Sequence, residues 1–176
     1  MIIKELFFKY NINFFEIYNL ALENNDDFVK IIPEIIYYKK GTWKDNKRTD
    51  LIKINISDIP SELKYIIDMM KDNAGFIGIK IKIKRDIFDD KIILKTKLKL
   101  HGFIGKLINN VVSLHSNFII SSCNDEENIK TNIKVNYEIK SMLMTKEISD
   151  KISFHIQNKL ENYYIKKIDK YFLEIT

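Results

Sequence analysis

The chain has 176 residues, 45% of them hydrophobic and 30% charged, with a formal net charge of +5. That length supports one domain with a sizeable core, read here as residues 1–176. No apolar run reaches the roughly 20 residues that span a bilayer, the charge-broken N-terminus lacks a signal-peptide core, and the lone Cys123 excludes an internal disulfide framework.

Ile2 to Tyr10 alternates imperfectly and predicts a first strand. Phe14 to Glu23 predicts a short helix, and Phe28 to Ile32 a second one, stopped by Pro33. Glu34 to Trp43 reads as a strand, Asp45 to Lys47 as a turn, and Arg48 to Ile56 as the returning strand. Ser61 to Met70 reads as a helix opened by Pro60. The clearest alternation follows. Ile77, Ile79, Ile81 and Ile83 alternate with Lys80, Lys82 and Lys84. Leu94, Thr96, Leu98 and Leu100 alternate with Lys95, Lys97 and Lys99. These two runs predict an antiparallel hairpin with one buried and one wet face. Gly102 to Asn110 is a connection with room for a helical turn, Val112 to Ser121 a sixth strand, and Ser122 to Asn128 a polar turn. Ile129 to Lys140 alternates cleanly as a seventh strand.

From Thr145 to Ile175 there is no Gly or Pro, and apolar residues recur every four positions from Ile148 to Phe172. That pattern predicts one long amphipathic helix, capped by Thr145 and with Glu147 at its positive end. A strict four-residue spacing drifts by about 40° at each step, so the stripe divides. Ile148, Ile152, His155, Ile156, Leu160 and Tyr163 form one face. Tyr164, Ile165, Ile168, Phe172 and Ile175 form another. The first face is expected to grip the sheet. The second is expected to meet the Phe14–Ile32 region, a second subunit or a ligand mouth. Strands with segregated helices indicate an α+β fold. The expected architecture is a curved seven-stranded antiparallel sheet gripping a long C-terminal helix, with two short helices between strands 1 and 2.

This order resembles the START-like, helix-grip superfamily (polyketide cyclase-like or SRPBCC proteins), which includes coenzyme Q-binding proteins, Bet v 1-like proteins and VASt domains. The stretch that carries the resemblance runs from Tyr18-Asn-Leu through Asp27-Phe28 to Ile32-Pro33-Glu34-Ile35. The Gly41-x-Trp43…Arg48 spacing is similar to that of VASt-type domains, whereas the Ser61–Met70 helix departs from the simplest members. The resemblance implies a cavity between sheet and helix that takes a lipid or another hydrophobic small molecule. It carries no catalytic set, cofactor or metal site across.

The residues themselves leave two readings open for the inward faces. Ile79, Ile81, Thr96, Leu98, Thr131, Ile133, Val135 and Tyr137 on the sheet face Ile152, His155, Ile156 and Leu160 on the helix. Such stripes normally make a filled core. Sparse polar groups among them, here Thr96, Thr131, Tyr137 and His155, are what orient ligands in apolar pockets. His101, His115 and Cys123 show no metal-ligand spacing, and Ser121-Ser122-Cys123 has no neighbouring base. An enzyme of the cyclase type therefore ranks third.

The rival to a cavity is the outward face, with Lys80, Lys82, Lys84, Lys95, Lys97 and Lys99. Like charges on neighbouring strands cost stability, so this face could contact an anionic membrane, a nucleic acid or a protein. Against that, only Arg48 and Arg85 are arginines, and abundant Ile, Asn and Lys fit A/T-rich codon usage. Missing aromatics on the face also disfavour nucleic acid. The expected location is cytoplasmic or peripheral to an intracellular membrane. The oligomeric state is left open.

Overall fold

The alternation of Ile and Lys sets the sheet. In the computed structural model, which describes residues 1–23, 29–57, 59, 61–125, 128–142 and 145–175, β1 (Ile2–Tyr10) is followed by α1 (Phe14–Tyr18) and a π turn (Asn19–Glu23). Then come β2 (Ile35–Lys39), β3 (Lys47–Ile54), α2 (Ser61–Met70), β4 (Ile77–Ile87), β5 (Lys91–Leu100), α3 (Gly102–Ile108), β6 (Val112–Asp125) and β7 (Asn128–Ser141). Last are α4 (Lys146–Lys159), a second π turn (Leu160–Ile165) and α5 (Lys166–Ile175), which run on without a break. The seven strands form one sheet in the order β1-β7-β6-β5-β4-β3-β2, every neighbour antiparallel.

Register follows the hydrophobic pattern, because a slip of one residue would turn every side chain to the wrong face. Ile79 pairs with Leu100 and Ile81 with Leu98 on the inner face; Lys80 pairs with Lys99 and Lys82 with Lys97 on the outer face. The seven-stranded α+β expectation holds, with differences in detail. The helix expected at Phe14–Glu23 is α1 with its π turn. The start of the one expected at Phe28 lies outside the described residues, and Val29 and Lys30 are helical. Strands β6 and β7 run further than expected, to Asp125 and from Asn128, so the polar turn is shorter. The connection after β5 contains a full helix, α3.

The long helix is capped as expected: the Thr145 hydroxyl accepts a hydrogen bond from the Ile148 amide at 3.3 Å. It packs along β7 and β1, where buried Ser153 keeps its side of the helix small. The π turn contains i→i+5 bonds, which place an extra residue in the helix and shift its side-chain phase by about 100°. Past it, Phe172 is buried 5.3 Å from the Tyr10 ring, with Ile168 and Tyr171 packed beside it. Tyr10 donates to Asp169 at 2.6 Å. Ile168 and Phe172 of the second face thus meet the N-terminal region: Phe14, Ile17 and Tyr18 of α1 belong to the same cluster, together with Ile92, Leu94, Ile120, Ile133 and Val135. Each such aliphatic side chain contributes about 1.5–3 kcal/mol through burial.

Candidate functional site

The interior does not stay filled along its whole length. At the end of the sheet away from α1, a cavity of about 370 Å³ lies between β3–β6, α2, α3 and the middle of the long helix. The sheet supplies Ile54, Ile77, Ile79, Leu98, Leu100, Val112 and Leu114. Helix α2 supplies Ile66, Ile67 and Met70, and α3 supplies Ile108. The long helix closes it with Ile152, His155, Ile156, Lys159, Leu160 and Tyr164. Periodicity explains the convergence: Ile66, Ile67 and Met70 lie on one side of α2 at helical spacing, as do Ile152, Ile156 and Leu160.

Polar groups are few. Besides His155, Lys159 and Tyr164, the lining includes Glu34, Ser57, Asn109 and Ser113. Asn109 is already committed: its carboxamide oxygen accepts from the Leu100 amide at 2.8 Å, and its amide nitrogen donates to the Leu100 carbonyl at 3.0 Å. Burial pushes the Tyr164 phenol up to about 12, with the nearby Glu34 charge and Tyr163 adding to the rise. That phenol is therefore protonated at neutral pH. A site of this size and lining can hold an apolar body by burial and orient it through a few hydrogen bonds.

Of the inward residues singled out from the sequence, Ile79, Leu98, Ile152, His155, Ile156 and Leu160 line the cavity. The others lie elsewhere. Ile133 and Val135 are in the packed cluster. Buried Thr131 donates to the Ile12 carbonyl. Thr96 shares a 2.6 Å hydrogen bond with Ser116. Ile81 is half-buried on β4. Tyr137 donates to Glu161 of the π turn, which also accepts from Lys4 at 2.9 Å and Gln157 at 3.3 Å. Burial alone would raise the Glu161 carboxyl, but these bonds and the Lys4 charge outweigh it and hold it below its ordinary range.

Sequence reasoning passed over a second polar cluster, at the filled end. Both arginines of the chain gather on one tryptophan: Arg85 stands 3.8 Å and Arg48 4.8 Å from the Trp43 ring. Buried Arg48 donates to Asp50 at 2.9 Å and to the Leu22 carbonyl at 2.9 Å. Glu23 accepts from Trp43 at 2.9 Å and from Tyr18 at 3.0 Å, and lies 3.3 Å from Lys40. Asp50 also accepts from Tyr38 at 3.0 Å and from the Gly41 amide at 2.9 Å. A β-carbon at Gly41 would stand 2.1 Å from the Thr49 carbonyl oxygen, so the segment after β2 needs glycine there. The network fastens the α1 segment to β3 and β4. The available signal was strand alternation, which puts Arg48 and Asp50 on the same inward face as Ile52.

On the outer face, Lys80, Lys82, Lys84 and Lys95 are exposed, while Lys97 and Lys99 are half-buried. Lys84 and Lys95 share Asp86, at 3.6 and 3.9 Å. Among the described residues, Lys80, Lys82, Lys97 and Lys99 form no ion pair. No helix among the described residues is long and apolar enough to cross a membrane.

No family model matches the chain, and no curated protein sequence does. Solved structures do. A STAR-related lipid transfer protein from Xanthomonas axonopodis is similar at a TM-score of 0.55 and 6% identity, covering 96% of this chain and 84% of that one. Ara h 8.0201 is similar at 0.53 and 10%, covering 97% of each chain. An aromatase/cyclase from a Streptomyces species is similar at 0.51 and 7%, covering 97% and 93%. At such identities the likeness speaks to architecture. Topology and likeness agree: the chain has the START-like, helix-grip fold.

Proposed function

We propose that this protein binds a lipid or another hydrophobic small molecule between the sheet and the long helix. The observation that carries the reading is the cavity of about 370 Å³, lined mostly by Ile, Leu, Val and Met. Burial of apolar ligand surface drives binding, at roughly 25 cal/mol per Å² before ordering costs. Similar folds are used by a protein named for lipid transfer and by one named an aromatase/cyclase, which supports a cavity-based role. Native mass spectrometry of protein purified from its own host is expected to show a co-purifying apolar molecule. A fluorescent apolar probe is expected to bind and to be excluded by Leu98→Trp. Absence of both signals would remove the reading.

A second reading rests on Lys80, Lys82, Lys97 and Lys99 of the outer face, which form no ion pair among the described residues and favour an anionic membrane surface. It predicts vesicle binding that falls steeply with salt. Binding unchanged by Lys82→Glu, Lys97→Glu and Lys99→Glu together would discard it.

A further inference from the structure

The two edges of the sheet are built differently. At one edge, β2 is five residues long, and its register with β3 shifts between Ile35 and Tyr37. Short, irregular edge strands protect a sheet against pairing with other chains. At the other edge, β1 runs nine residues, all of them in unbroken register with β7. Among the described residues no strand lies on its far side. Alternate residues of such an edge aim their N–H and C=O groups away from the sheet. The side chains leave the edge open as well. On its outer face Ile3 is 67% and Phe7 69% exposed. Lys4, which could guard the edge, is held by Glu161 of the long helix at 2.9 Å.

We propose that β1 is a self-association edge: two copies of this chain pair their β1 strands antiparallel about a two-fold axis at Phe7, joining their sheets into one. Two-fold pairing sets one strand against its own reverse, so few registers exist. An axis at Glu5 sets Glu5 against itself, and like charges directly opposite cost stability. Axes at Leu6 or Phe8 set Lys9 against Ile3 or Phe7. An axis at Phe7 sets Phe7 against itself, Leu6 against Phe8, and Glu5 against Lys9 of the second copy. In that register everything from Glu5 to Lys9 is matched, apolar to apolar and acid to base. Glu5 lies 2.7 Å from Lys134 of its own strand pair, and a carboxylate has acceptor sites for both lysines. Both copies use the same edge, so the assembly closes at two.

Sedimentation equilibrium on the untagged chain, over a concentration series at low salt, reads the pairing. The wild type is expected to dimerise with a Kd in the micromolar range. Glu5→Lys and Lys9→Glu are each expected to weaken the dimer roughly tenfold or more, because each sets like charges against one another at both crossings. Mixed in equal amounts, the two variants are expected to associate again, since lysine then faces glutamate at both crossings. Recovery on mixing also shows that both variants are folded. A second measurement does not depend on charge. In a Cys123→Ser background, Phe7→Cys is expected to form a disulfide-linked dimer under mild oxidation, and Ile3→Cys is not. A wild type that stays monomeric up to about 1 mM would overturn the proposal, as would growth beyond a dimer. A dimer indifferent to both charge variants, or cross-linking through Ile3→Cys in place of Phe7→Cys, would overturn it too.

Discussion

Under α1 and α5 the sheet is covered by Phe14, Ile17, Tyr18 and Phe172, all buried. Under α2, α3 and α4 the same sheet faces a cavity. Both ends draw on the same inward Ile and Leu stripes, so sheet composition does not decide which end fills. The helices decide it. At the filled end, aromatic rings point inward and occupy the space between layers. At the hollow end, the large rings point away: Tyr65 of α2 is 74% exposed and Phe103 of α3 is 77% exposed. The volume that could close the cavity is present in the chain but turned to solvent. What faces inward from those helices is aliphatic: Ile66, Ile67, Met70 and Ile108.

The sharpest test of this contrast is a matched pair of truncations. Phe172→Ala at the filled end is expected to cost about 3–5 kcal/mol, while Leu98→Ala at the hollow end should sit near the bottom of the usual range, about 2 kcal/mol. Urea titration reads both. Equal losses would mean that the two ends are packed alike. Next comes the polar clamp. Arg48→Met leaves Asp50 buried with its Tyr38 and Gly41 bonds but without its cation, and is expected to cost about 3 kcal/mol. A variant as stable as wild type would show that the clamp adds nothing to the filled end.

Smaller effects sharpen the comparison. Leu98→Trp is expected to lower affinity for an apolar probe at least tenfold, about 1.4 kcal/mol, while leaving the melting temperature nearly unchanged. Probe displacement and thermal melting check the two halves of that statement. A pH series tests the junction between the ends. Glu161 is held below its ordinary value of 4.5 in the folded protein. Its contribution is therefore present above about that pH and lost as pH falls through the lower, folded-state value. Glu161→Gln should flatten the loss of stability in that acid window. A wild-type and variant profile of the same shape would show that the Lys4–Tyr137–Glu161 contacts do not hold the helix. The smallest change is on the outer face. Lys82→Glu places an opposite charge across from Lys97 and should stabilise by about 0.2–1 kcal/mol, readable as a small shift of the urea midpoint.

Much of this was legible in the amino-acid sequence. Period-two alternation from Ile77 to Leu100 and from Ile129 to Lys140 marked strands, faces and register, because one face had to be buried. The unbroken four-residue recurrence after Thr145 marked the long helix, and its angular drift anticipated a change of partner halfway along. The cavity was less legible. Whether an apolar stripe is filled depends on how far the opposite helix stands from it, and periodicity does not encode that distance. Thr131 and Tyr137 looked like ligand-facing polar groups, yet their partners, Ile12 and Glu161, are 119 and 24 residues away in the chain. Glu34 gave no periodic signal because it precedes β2, where the backbone is not yet in the ladder. Arg48 and Asp50 did follow strand alternation, but two charges on an apolar face read as noise until Trp43 and Glu23 are placed beside them.

The π turn at Leu160–Ile165 has a consequence for how this helix tolerates changes in length. Such a turn is an ordinary helix holding one spare residue. Removing an exposed residue there, such as Asn162, would let the segment relax to α geometry with Phe172 still on Tyr10 and Ile152 still on the sheet. Removing a residue from α5 instead would rotate Phe172 out of its cluster, with no slack to absorb it. The same segment serves two partners, with Leu160 and Tyr164 turned to the cavity and Glu161 tied to Lys4 and Tyr137. A shortened helix would thus keep its fold and lose the side-chain arrangement that looks into the hollow end.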